Sequence, residues 1–302
     1  MNDTPTPVRL EGLNVRYGAV KAVRDLSLSV WAGSVYALLG RNGSGKSSLV
    51  RCLLGQQRAA SGQIHLLGED AWRRRTRLMR RVGVVPEEPD APLAMTARQL
   101  AAFCSHLYPT WDDASVAERL SRFAVPRGVP FGRLSKGQKG QLMLTLALGH
   151  RPELLVLDDP TIGLDVVARR EFYEELVAEL ADRGATVLIT THDLAAVEGI
   201  ATHVGILKDG ELLVDEGLEP LKARFRTLRF GPERAPAAGE LRGLGALAVC
   251  KTAWGLEAVV PRFDEAVAAR LQAEGDVAVA VEAMSLEEIF SAVVGNGAGG
   301  EA

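Results

Sequence analysis

An apolar run, a glycine-rich loop and an amphipathic stretch follow one another between positions 34 and 54, and this succession constrains the chain more than any other part of it. Ser34-Val-Tyr-Ala-Leu-Leu39 reads as a buried strand and Ser48-Leu-Val-Arg-Cys-Leu-Leu54 as a helix. Between them, Gly40-Arg41-Asn42-Gly43-Ser44-Gly45-Lys46-Ser47 fits the pattern G-x-x-x-x-G-K-[ST]. Its glycines let the backbone curl so that successive N–H groups point into one concavity, which suits phosphate oxygens. Lys46 supplies a mobile cation for the β- and γ-phosphates, Ser47 a hydroxyl for Mg²⁺, and the helix turns its positive end to the anion. Gly40, Asn42, Gly43, Ser44, Gly45, Lys46, Ser47 and Ser48 are therefore the candidate nucleotide contacts.

Whole-chain properties exclude several other classes. At 302 residues, with 47% hydrophobic content, the chain is long enough for two domains and a large core. A net charge of −3 provides no overall basic field, so no nucleic-acid partner is expected. Cys52, Cys104 and Cys250 are scattered, without a C-x-x-C pair, which argues against a disulfide framework or zinc site and fits a reducing cytoplasm. No stretch approaches the roughly 18 to 20 apolar residues of a membrane helix. Met1-Asn-Asp-Thr-Pro-Thr-Pro7 lacks the features of a secretory signal, so export of the chain itself is not expected.

Along the chain, residues 8–16 and 26–38 predict strands, and 62–67 predicts another. The basic run Arg73–Arg81 reads as a solvated helix face. Val82–Val85 predicts a short buried strand that ends at Pro86-Glu87-Glu88-Pro89. A helical insert spans about 90–150, with Thr96 as an N-cap, a break near Pro109, and Ser135 capping a helix through Leu148. Leu154–Leu157 predicts a central parallel strand that ends in Asp158-Asp159; a helix over 166–181 follows, and the strand 186–190 ends in Thr191-His192-Asp193. Asp209-Gly210 marks a hairpin. Composition shifts at 225–239, which places a domain boundary there and makes 1–224 one domain. An appendage at 225–294 is expected to hold strands near 246–250, 256–260 and 277–283 and two helices, the last opened by the capping box Ser285-Leu286-Glu287-Glu288; 295–302 is expected to be disordered.

Four features add chemistry to the loop. Asp158, at a buried strand end, can hold Mg²⁺ directly or through water, and Asp159 can face an attacking water. Leu134-Ser135-Lys136-Gly137-Gln138 sets a serine and backbone amides at a helix N-terminus, a second phosphate-binding device. Gly163-Leu164-Asp165 follows the acidic pair, and His192 stands at a strand tip within reach of a γ-phosphate.

With these residues in view, positions 8–218 resemble the ATP-binding subunits of ABC transporters. The resemblance implies an α/β P-loop NTPase core with an antiparallel β-subdomain and a helical subdomain, joined here to a small C-terminal α+β appendage. It implies ATP and Mg²⁺ as cofactors, with Ser47, Asp158 and Glu87 around the metal and Asp159, His192 and Glu87 as the catalytic set. Tyr17 matches the adenine-stacking aromatic. It further implies a head-to-tail pair with a second ATPase subunit, identical or different, in which Ser135, Gly137 and Gln138 reach the ATP of the partner and Asp165 couples the two subunits. A separately encoded transmembrane permease, and a place on the inner face of the cell membrane, complete the expectation.

Three positions depart from the family pattern: Lys136 stands where glycine is usual, Glu87 where glutamine is, and Asp159 where glutamate is. The last two bear on hydrolytic speed. Met284–Phe290 resembles the extension of exporter ATPases, which favours export over import. The competing classes are an ATP-gated regulatory module with slow hydrolysis and a soluble, non-transport ABC ATPase. A single cassette without a heptad run argues against the latter.

Overall fold

Strand β3 (Val35–Gly40) is buried at every position, as a strand covered on both faces must be, and it lies inside a six-stranded sheet. The computed structural model describes residues 5–231, 238–243, 245–252, 255–264 and 279–295. The chain divides into two units, Met1–Asp215 and Glu216–Ala302.

In the first unit an antiparallel sheet precedes the parallel one. Strands β1 (Val8–Tyr17) and β2 (Val20–Val30) pair antiparallel, and β4 (Ser61–Leu66) and β5 (Glu69–Asp70) extend the sheet in the order β2-β1-β4-β5. The stretch 26–38, expected as one region of strand, is interrupted at Trp31–Ser34, where Ser34 Oγ donates to Trp31 O at 2.5 Å and Gly33 takes a φ of +71°. β3 follows, then the glycine-rich loop and helix α1 (Lys46–Leu53). One core joins both sheets through this helix: Leu10 and Leu26, Tyr36 and Leu38, Leu49 and Leu53, and Val156 and Leu188 belong to a single buried cluster. Full burial of a leucine such as Leu49 or Leu53 contributes about 1.5–3 kcal/mol.

The basic run forms only one helical turn, α2 (Arg75–Leu78). It is anchored as well as solvated, since Leu78 is buried, Arg75 Nε donates to Leu54 O and Arg81 pairs with Glu153. Strand β6 (Val82–Val85) leads into the insert of α3 (Ala97–Leu107), α4 (Asp113–Arg122) and α5 (Lys136–Leu148). Thr96 and Gln99 form a capping box at α3, and Ser135 and Gln138 form another at α5. β7 (Leu154–Asp158), α6 (Val166–Arg183), β8 (Thr186–Thr191), α7 (Leu194–Glu198), β9 (His203–Lys208) and β10 (Glu211–Gly217) complete the order β10-β9-β3-β8-β7-β6. The pairs β3/β9, β3/β8, β8/β7 and β7/β6 are parallel. Asp209 (φ +51°) and Gly210 (φ +83°) make the tight turn between β9 and β10.

The second unit begins upstream of the composition shift, with α8 (Leu218–Arg224) and β11 (Arg226–Phe230). β11 lies within the stretch whose composition shifts, and it folds because Leu228 and Phe230 alternate into a core with Leu256, Ala258 and Val260. After α9 (Ala238–Gly243), strands β12 (Ala248–Thr252), β13 (Gly255–Val260) and β14 (Val279–Ala283) give the antiparallel order β12-β13-β11-β14. Helix α10 (Leu286–Gly295) opens with the Ser285/Glu288 capping box. Of the stretch 295–302, expected to be disordered, Gly295 is the last residue of α10 and the rest lies outside the described residues. Among the described residues no helix is long and apolar enough to cross a membrane.

Candidate nucleotide-binding site

Parallel register brings three strand ends to one edge. Leu38 pairs with Thr190 and Thr190 with Asp158, so the glycine-rich loop after β3, the acidic pair after β7 and the residues after β8 share one level. The loop then turns over this edge. Gly45 has a φ of +110°, and a methyl group there would stand 2.2 Å from Ala22 O. At Gly40 the added atom would meet Ser44 Oγ at 2.4 Å and Leu207 O at 2.7 Å. Only glycine fits either place without displacing backbone.

The result is a cavity of about 290 Å³. Asn42, Gly43, Ser44, Gly45 and Lys46 line it together with Ser47 and Ser48, while Ala22, Glu87 and Asp159 close its sides. Lys46 is 6% exposed and donates from Nζ to Gly40 O at 2.7 Å. Burial pulls its pKa below the ordinary lysine value, opposed by the charges of Asp159, Asp158 and Glu87. Ser44 Oγ is buried without a hydrogen-bond partner among the described residues, as an atom reserved for an external acceptor or donor would be.

The two aspartates occupy distinct settings. Asp158 accepts a hydrogen bond from Thr190 Oγ1 at 2.5 Å, and burial holds its carboxyl above the usual range against the favourable pull of Thr190, Lys46 and Ser47. Asp159 sits at a φ of +44°, in the left-handed region that aspartate tolerates better than most residues, with its N–H donating to Thr190 O at 2.9 Å. Its Oδ1 accepts from His192 N at 3.1 Å and lies 2.8 Å from His192 Nδ1. A donor tautomer at Nδ1 suits the carboxylate and leaves Nε2 as the ring's remaining acceptor. Among the described residues no group of three or more His, Cys, Asp or Glu side chains converges to hold a metal alone. The oxygens of Ser47, Asp158 and Glu87 are hard donors of the kind Mg²⁺ takes in ones and twos when phosphates supply the rest.

Other expected residues stand apart from the cavity within one chain. Tyr17 is exposed and its hydroxyl donates to Gln57 Oε1 at 2.5 Å. Ser135 and Gln138 satisfy each other at the start of α5, where Gly137 lies against Leu164. Asp165 Oδ1 accepts from Ala168 N at 2.8 Å and so begins α6. Sequence reasoning did not single out Ala22, whose carbonyl shapes the loop, nor Thr190, which holds both aspartates. No local pattern marks either one, because each acts across strands distant in sequence.

Comparisons with known proteins agree on one family. The family model described as ABC transporter matches residues 23–162. The bacitracin transport ATP-binding protein BcrA of Bacillus licheniformis is 33% identical over 223 residues, which cover 73% of each chain. A Nod factor export ATP-binding protein I of Burkholderia orbicola is 36% identical over 214 residues, 69% of this chain and 70% of that one. Among solved structures, an ATP binding subunit of an ABC transporter superposes with a TM-score of 0.66 at 25% identity, covering 72% of this chain and 92% of the other.

Proposed function

Because this chain belongs to the ATP-binding subunits of ABC transporters, we propose that it binds and hydrolyses Mg-ATP in the cavity beneath Gly40–Ser48 and so energises a separately encoded permease, in the direction of export. The observation that carries this reading is the convergence of a buried Lys46 with Asp158 and Asp159 at one sheet edge. Lys46 meets the phosphates once its bond to Gly40 O is exchanged for them, Ser47 and Asp158 take the metal, and Glu87 stands beside it. His192 and Asp159 act as a pair: the carboxylate fixes the ring, and the pair positions water and γ-phosphate. Asn42, Gly43, Ser44, Gly45 and Ser48 cradle the phosphates, and Tyr17 stacks on the base after leaving Gln57.

Ser135, Gly137 and Gln138 lie outside the cavity of their own chain, which fits contacts to ATP held by a second subunit, and Asp165, at the start of α6, would couple the two subunits. The direction of transport is supported by the relative whose name specifies Nod factor export; the name of the bacitracin transport relative gives no direction. The subunit then works at the inner face of the cell membrane through its permease. The helical insert, about 90–150 within an ATPase domain of 1–224, passes the motion on; the appendage is 225–294.

A second reading, an ATP-gated module with slow hydrolysis, is favoured by the carboxylates of Glu87 and Asp159 on one cavity. Aspartate places its carboxylate on the order of 1 Å behind a glutamate's, and such a displacement can cost about a hundredfold in rate. Asp159→Glu is therefore expected to raise kcat with little change in ATP affinity, and Asp159→Asn to lower it, in phosphate-release assays at saturating Mg-ATP. A slower Asp159→Glu enzyme, in both the native and the Glu87→Gln background, would contradict the idea that aspartate limits the rate.

A further inference from the structure

Thr190 follows the apolar run Val187, Leu188 and Ile189 in β8, and all four residues are fully buried. Its lateral neighbours in the parallel sheet are Leu38 of β3 on one side and Asp158 of β7 on the other. A strand in this setting asks only for a β-branched apolar side chain, and valine has the shape of threonine without a hydroxyl that must be satisfied on burial. Strand packing therefore accounts for the methyl group of Thr190 and leaves its hydroxyl to be explained.

The hydroxyl works in both directions. Thr190 Oγ1 accepts from Asp159 N at 3.1 Å and donates its single hydrogen to Asp158 Oδ1 at 2.5 Å. The two contacts differ in consequence. Asp159 N also donates to Thr190 O at 2.9 Å, so the turn at Asp159, with its φ of +44°, keeps an acceptor even without the hydroxyl. Asp158 is buried and is held by side chains: Thr190 from within the sheet, Lys46 and Ser47 from the cavity. The last two are the groups that turn to phosphate and metal when nucleotide binds, which leaves Thr190 as the constant partner.

We propose that Thr190 is a positioning residue for the metal site of Mg-ATP: by engaging Asp158 Oδ1 it fixes the rotation of the carboxylate and reserves Oδ2 for the cation that Ser47 also meets. This rests on the reading that Ser47 and Asp158 take the Mg²⁺ of bound ATP. Thr190 does not line the cavity, so it acts through Asp158 and not on the nucleotide. Hydrogen bonds that orient a metal-ligating carboxylate from behind typically change metal affinity by about 10- to 100-fold.

The test is equilibrium binding of a non-hydrolysable ATP analogue to the full chain, with excess Mg²⁺ and with EDTA; the ratio of the two affinities is the gain that the metal brings. Thr190→Val keeps the shape and removes the hydroxyl, and is expected to reduce that gain about tenfold while leaving binding in EDTA unchanged. Thr190→Ser keeps the hydroxyl and is expected to retain the gain. Thr190→Ala lacks both groups and is expected to follow valine, which reads the same loss in a second variant if the first folds poorly. An unaltered gain in the variants without a hydroxyl overturns the inference while the Mg-ATP reading stands. Equal loss in the serine and valine variants overturns it too, because the methyl group and its packing would then be the cause. So does a loss that appears equally in EDTA, which would put the effect in the shape of the loop. A parent that binds the analogue equally with Mg²⁺ and with EDTA overturns the metal reading and this inference with it.

Discussion

Lys46→Ala is expected to lower ATP turnover by about 10²–10³-fold, the loss typical of deleting one preorganised electrostatic contact to a charge that develops in the transition state. Lys46 is 6% exposed at the foot of a cavity that Asp159 and Glu87 also line, so no mobile solvent cation takes its place at comparable strength. Binding should weaken less than turnover, by about tenfold, since the loop amides and Ser47 remain. Lys46→Arg is expected to fail as well, because the bulkier guanidinium does not fit the space from which Nζ reaches Gly40 O at 2.7 Å. Phosphate release under saturating Mg-ATP, beside equilibrium binding of ATP, separates the two effects. Unchanged turnover in Lys46→Ala would remove the loop from the chemistry.

The second large effect concerns the joint between the helical insert and the core. Arg119 of α4 is 5% exposed; its Nε donates to Glu175 Oε1 at 2.5 Å and its Nη2 to Glu179 Oε2 at 2.6 Å, both on α6. Arg122 reaches Glu175 and Arg183 reaches Glu179 from the rim. Arg119→Met leaves two carboxylates, at 4% and 3% exposure, short of their central partner, and is expected to cost about 3–5 kcal/mol in urea unfolding. The deficit should shrink in acid. Burial holds Glu179 above its ordinary pKa while Arg119 pulls it down, so losing the arginine raises it further. A carboxyl raised in the folded state contributes most below its unfolded pKa and loses that contribution as pH rises through the folded value. The variant should therefore lie nearer the native protein at about pH 4 than at pH 7.5, by the ordinary carboxyl range. Replacing Glu179 as well, in Arg119→Met/Glu179→Gln, is expected to recover part of the loss at neutral pH. A deficit that is independent of pH and unmoved by the second substitution would make the cluster a matter of packing alone.

What the sequence discloses is local. The glycine-rich loop, both capping boxes of the insert and the acid-ended strand 154–158 each declare themselves within a few residues, because backbone freedom, cap chemistry and hydrophobic period are properties of neighbours. Residues that act across the fold leave no such mark. Thr190 reads as one more β-branched strand residue, yet it holds Asp158 and Asp159 because parallel register sets it beside them. Arg119, Glu175 and Glu179 each read as an ordinary charge on a helix, and only the packing of α4 against α6 buries them together. The pairing of His192 with Asp159 is a case of the same kind: both residues are recognisable as candidates, while their 2.8 Å contact is a product of topology. Arg226–Phe230, inside the stretch where composition shifts, forms a strand because Leu228 and Phe230 alternate into the second unit's core.

The most direct measurement is Mg²⁺-dependent release of phosphate from ATP by the full-length chain, purified together with whatever membrane protein accompanies it, beside the Lys46→Ala variant in the same preparation. The account predicts release that requires Mg²⁺ and falls about 10²–10³-fold in the variant. ATP that neither binds at millimolar concentration nor yields phosphate, or release that is indifferent to Lys46, would contradict it.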